Sequence, residues 1–117
     1  MPRYIQLYNW TDQGVRNARE APKRIRQAAQ TLEQLGGKLI DISLTMGQYD
    51  LVGVVDAPND EVVARFALNL AGAGNVRTTT LKAFSLDEFE RLAGSMTEHN
   101  LRSEEGVFGK LKRAFGG

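Results

Sequence analysis

From Arg3 to Trp10 the chain alternates with a period of two. Ile5 and Leu7 fall on one face and Tyr4, Gln6, Tyr8 and Trp10 on the other, the pattern of a half-buried strand. Thr11 and Asp12 then offer capping oxygens. Val15, Ala18, Pro22, Ile25, Ala29 and Leu32 recur at steps of three and four until Gly36-Gly37 stops them, which predicts a long amphipathic helix. Pro22 lacks an amide donor, so the helix either kinks there or splits into a short turn and a main helix starting near Pro22. Lys38–Met46 alternates again, with Leu39, Asp41, Ser43 and Thr45 opposite Ile40, Ile42, Leu44 and Met46. Gly47-Gln48 marks a turn and Tyr49–Asp56 returns as a second strand, giving an antiparallel hairpin. Pro58 and Asn59-Asp60-Glu61 open a second helix whose Val62, Val63, Phe66, Ala67 and Leu70 share one face, and Gly72-Ala73-Gly74-Asn75 ends it. Val76–Phe84 is a Thr-rich fourth strand. Ser85-Leu86-Asp87-Glu88 forms a capping box, with Phe84 and Phe89 placed as a hydrophobic staple, for a short helix running to about Gly94.

The order βαββαβ predicts an α+β protein of ferredoxin-like architecture, a four-stranded antiparallel sheet with both crossover helices on one face, plus C-terminal helices. The other face must meet water or a partner. The alternation assigns Tyr4, Tyr8 and Trp10 to it, and such a row of aromatics points to packing against a second subunit, with scattered surface aromatics as the plainer reading. Residues 1–96 form the body, and 97–117 a polar linker followed by an amphipathic helix. In that tail Ser103 can cap, Glu104 and Glu105 suit the positive end, and Lys110, Lys112 and Arg113 the negative end. Phe108, Leu111 and Phe115 lie on its apolar face with Val107 and Ala114, and are its docking candidates. A helix this short is marginal alone, so this face docks on the same chain, a neighbouring subunit, another protein or an anionic membrane.

Several runs carry a family resemblance: Asn9-Trp10-Thr11-Asp12-Gln13-Gly14, Pro22-Lys23-Arg24, Leu35-Gly36-Gly37-Lys38, Thr45-Met46-Gly47-Gln48-Tyr49-Asp50 and Gly74-Asn75-Val76-Arg77-Thr78-Thr79-Thr80. Over roughly residues 2–95 the chain resembles the GYD domain family. The resemblance implies a small bacterial protein with a ferredoxin-like fold related to the dimeric α/β barrels, hence a homo-oligomer. It transfers no reaction, because the family's activity is undefined.

Composition narrows the chemistry. With 117 residues, 42% hydrophobic and 25% charged, the chain is one ordinary globular domain. A net charge of +1 announces no nucleic acid. The absence of cysteine removes disulfides and thiolate chemistry, and His99 alone cannot build a histidine metal centre, so no metal and no cofactor are expected. No signal-peptide run follows Met1-Pro2-Arg3 and no apolar stretch approaches the roughly 20 residues that span a bilayer, which predicts a cytoplasmic protein without a transmembrane segment. No nucleophile has a base beside it, so no catalytic residue is assigned.

The ligand-pocket candidates are Tyr8, Asn9, Trp10, Tyr49 and Asp50. The Gly47-Gln48-Tyr49-Asp50 run is first a tight turn; alternatively Tyr49 and Asp50 reach a pocket mouth, with Arg77 or Lys82 as a partner for the carboxylate. Asn9-Trp10-Thr11-Asp12 could gather an amide, an indole and free helix amides around a small polar ligand, although Thr11 or Asp12 is more simply a cap. Arg16, Arg19 and Lys23, with Arg26, make a positive stripe on the first helix. It is a solvated face in the plain reading, and the first three are the possible anion contacts. Two functions follow. The first is an oligomeric binding or accessory module of undefined activity whose C-terminal helix recruits a partner protein. The alternative is a small dimeric-barrel enzyme or small-molecule sensor with a pocket between sheet and helices.

Overall fold

A computed structural model of the chain describes residues 1–96. The C-terminal helix expected around Phe108, Leu111 and Phe115 lies outside the described residues. Met1–Ala83 is one compact unit, and the described residues from Phe84 to Met96 belong to a second.

In the first unit the order is β1 (Arg3–Trp10), α1 (Asp12–Arg16), a 3₁₀ turn (Ala18–Glu20), α2 (Ala21–Gln34), β2 (Lys38–Leu44), β3 (Leu51–Asp56), α3 (Asp60–Gly72) and β4 (Val76–Ala83). The predicted long helix is thus divided. Pro22 sits in the first turn of α2, where its missing amide has no intrahelical role, so the chain restarts a helix there rather than bending one. Just past the end of α2, Gly36 has a φ of +89° that lets the Gly37 amide return to the Leu32 carbonyl at 2.9 Å. Asn59 caps α3 by accepting from the Val62 amide at 3.0 Å.

The four strands lie in the order β2-β3-β1-β4 and every pair is antiparallel, which is the ferredoxin-like arrangement. β1 is central, with Tyr4 opposite Val55 and Lys82, Gln6 opposite Gly53 and Thr80, and Tyr8 opposite Leu51 and Thr78. Both long helices cover this row. Tyr4 packs with Ala57 and Val63, while Leu32 of α2, Val55 and Phe66 of α3 form a second cluster to which Ala28, Leu39, Val62 and Leu70 add.

The facing of β1 is therefore opposite to the expected one. Tyr4 and Tyr8, 3% and 5% exposed, point under the helices, and Ile5 and Leu7 occupy the other face. The reason is that the helix side needs tall side chains and can satisfy their polar ends. The Tyr8 hydroxyl donates to Gln6 Oε1 at 2.5 Å, Gln6 Nε2 reaches Thr80 Oγ1 at 3.3 Å, and the Tyr4 hydroxyl donates to Asp60. The face away from α2 and α3 is aliphatic instead of aromatic: Ile5 stands in one cross-sheet row with Val54 and Leu81, and Leu7 in the next with Val52. At its margin Arg3 and Asp56, cross-strand partners, form a two-pronged ion pair at 2.8 and 3.1 Å.

β2 departs from strict alternation. A bulge between Leu39 and Asp41 inserts Ile40, so Leu39 and Ile42 both serve the helix side, although three residues apart. The hairpin loop runs from Thr45 to Asp50, longer than the Gly47-Gln48 turn expected.

In the second unit α4 (Leu86–Gly94) carries the expected capping box. Ser85 Oγ accepts from the Glu88 amide at 3.1 Å, and Glu88 Oε1 accepts from the Ser85 amide at 3.0 Å. Those hydrogen bonds to Ser85, foremost the backbone one, hold the Glu88 carboxyl below its usual range. Phe84 and Phe89 are exposed.

Candidate functional site

The layer between sheet and helices is not fully packed. The end of β1 and the middle of α2 stand apart from α3 far enough to leave a cleft of about 280 Å³. Its wall is apolar, formed by Ile25 and Ala28 of α2, Ile42 of β2, Leu51 of β3 and Phe66 and Leu70 of α3, with the rings of Tyr8 and Trp10 completing it. Arg24, Asn69 and Asn75 bring polar groups to this lining. Arg24 occupies the first turn of α2, three residues after Ala21 and four before Ala28, so the helix turns it toward the same side as those alanines. Its Nη1 donates to the Asn17 carbonyl at 3.0 Å, and its Nη2 is buried without a hydrogen-bond partner among the described residues.

The end of β1, which brings Tyr8 and Trp10 to the cleft, is held by the loop that carries the Gly-Gln-Tyr-Asp run. The Asp50 carboxylate accepts from the Trp10 amide at 2.8 Å, and the Asp50 amide donates to the Tyr8 carbonyl at 2.9 Å. Asn9 Nδ2 donates to the Gln48 carbonyl at 2.8 Å, while Thr45 closes the loop on Asp50 and Tyr49. Behind them Thr11 accepts from the Gly14 amide at 3.0 Å and donates to the Gly74 carbonyl at 2.5 Å, fixing α1 against the loop before β4. Gly14 is required there: a Cβ on it would lie 1.8 Å from the Asn75 carbonyl oxygen.

Of the five pocket candidates, Tyr8 and Trp10 line the cleft. Asn9 and Asp50 are engaged in holding the loop, the latter through the Trp10 amide rather than through Arg77 or Lys82, and Tyr49 lends its carbonyl to Thr45. Arg16, Arg19 and Lys23 are exposed and fall on three successive elements, α1, the 3₁₀ turn and α2, so the break at Asn17 interrupts their stripe. Arg24 is absent from the sequence-predicted candidates, which follow the outward basic stripe. The signal for it was its spacing from Ala21 and Ala28 on the inward one.

A second polar group joins β1, β4 and α3. Asp60 accepts from the Tyr4 hydroxyl and lies 3.4 Å from Lys82 Nζ. Burial, followed by the Asp60 hydrogen bond and charge, pushes the Tyr4 phenol up to about 12, and the Tyr4 hydrogen bond with the nearby Lys82 holds Asp60 below the ordinary carboxylate range. The phenol stays protonated and the carboxylate charged at neutral pH, so the group clamps α3 to the sheet. Burial also raises the Tyr8 phenol, and the Arg3 hydrogen bond lowers Asp56. Among the described residues no three His, Asp or Glu side chains gather to hold a metal ion, and no helix is long and apolar enough to cross a membrane.

The GYD domain family model matches residues 4–93, which takes in the loop, the cleft and all of the sheet but Arg3. The chain belongs to the GYD domain family. A relative from Thermus thermophilus, named a glutamine synthetase and cystathionine beta-lyase binding protein, is 39% identical to this GYD chain over 84 residues, spanning 71% of this chain and 88% of the relative. A protein of the same organism with a solved crystal structure aligns at a TM-score of 0.48 and 21% identity, over 73% of this GYD chain and 95% of its own.

Proposed function

We propose that this GYD protein is a homo-oligomeric, protein-binding accessory module, pairing through the open face of its sheet and recruiting an enzyme partner through its C-terminal helix. The observation that carries the reading is the aliphatic row of Ile5, Val54 and Leu81 beside Leu7 and Val52, on the sheet face away from α2 and α3. Leu81 is 48% exposed and the bulge residue Ile40 40% exposed. Clustered aliphatics of this kind mark a protein contact in a soluble chain. A relative named for binding two enzymes supports the same role, and the Phe108, Leu111 and Phe115 face of the tail has the spacing of a docking hook.

Binding is testable with the glutamine synthetase and cystathionine β-lyase of the source organism. Full-length protein, by light scattering, is expected to be a dimer or larger and to bind at least one of the two enzymes. Removal of residues 97–117 is expected to abolish that binding and leave the oligomer intact. A strict monomer that binds neither enzyme overturns the proposal.

A further inference from the structure

Separately from partner binding, we infer that the cleft under α2 and α3 is a binding site for a small apolar molecule bearing one carboxylate, which pairs with Arg24. Three observations converge. The wall is formed of aliphatic and aromatic side chains, among them Ile25, Ile42, Leu51 and Phe66, which suits an apolar body. Among the described residues Arg24 is the one charged member of the lining, and its Nη2 is buried with no partner while Nη1 is held by the Asn17 carbonyl. The cleft, at about 280 Å³, matches the low end of small-molecule sites, on the order of 300 Å³.

The charge balance selects the headgroup. A neutral oxygen can accept from the buried guanidinium nitrogen but leaves its charge unbalanced, an amine repels it, and a dianionic phosphate brings a second charge that no other lining residue neutralises. A carboxylate brings one charge and oxygen acceptors to one waiting donor. Asn17 acts as a positioning residue, because its carbonyl holds Nη1 of the guanidinium whose Nη2 is buried and unpartnered among the described residues.

Trp10 makes the site readable. It is the single tryptophan of the chain and part of the cleft wall, so its fluorescence reports occupancy. The full chain is titrated with octanoate, octanol and octylamine, all below micellar concentration. Octanoate is expected to give a saturable change, octanol to bind at least about tenfold more weakly and octylamine not at all. Arg24→Gln is expected to erase the difference between octanoate and octanol. Equal binding of octanoate and octanol by the unmodified protein overturns the inference even if the variant fails to fold. So does the absence of a saturable response to butanoate, hexanoate, octanoate and decanoate alike.

Discussion

Gln6 is the polar residue fully buried in the core of the sheet, and it is tolerable there because Tyr8 and Thr80 answer both ends of its amide. Tyr8→Phe keeps the ring and removes the hydroxyl, leaving Gln6 Oε1 without its donor. The variant is expected to lose about 1–3 kcal/mol, the usual penalty for an unsatisfied buried group, read as a lower urea midpoint at unchanged slope. These same residues show where the sequence was hard to read. Both faces of β1 carry apolar side chains, so alternation gave the strand but not its orientation. The purely aliphatic pair seemed the better core, yet the deeper position went to the tyrosines, whose partners Gln6 and Asp60 only the fold brings near. Arg24 was illegible in the same way, since a charged residue in the inward row looks out of place until Asn17 is seen to hold it.

Elements were more legible than facings. The helix start at Pro22, the Asn59 cap and the Ser85 box all depend on chemistry within a few residues of chain, and all are recognisable as letters. What depends on a distant segment was not. The bulge at Ile40 answers to β3, and the extra length of the Thr45–Asp50 loop answers to the end of β1, which it clasps through Asp50 and Asn9. Gly14 shows the same dependence. In sequence it weakens a short helix, while in space it lets α1 touch the loop before β4. Gly14→Ala, elsewhere a gain in helix propensity, is expected to cost on the order of 3–5 kcal/mol here, because backbone must retreat from the new methyl. Thermal or urea unfolding checks this, and a neutral or stabilising outcome would show that α1 can shift without loss.

At the scale of the whole molecule, the proposed pairing through the row of Ile5, Val54 and Leu81 makes a prediction about concentration. If copies pair through it, folding and association are linked, and an about tenfold dilution lowers the melting temperature by a few degrees. Leu81 is 48% exposed, so a charge there is compatible with the folded single chain. Leu81→Glu is expected to melt at a temperature independent of dilution, checked by calorimetry across a concentration series. A wild-type melting point that also ignores dilution argues against pairing through this face.

The outer strand β2 has a consequence of its own. A straight, unpaired strand offers its free amides and carbonyls to any neighbouring chain, the start of fibrous stacking. The extra residue at Ile40 breaks the regular spacing of that edge and increases its twist, so a flat strand from another copy finds no continuous ladder to extend. The kink that aims Leu39 and Ile42 inward therefore also makes the β2 edge a poorer template for sideways growth into a filament.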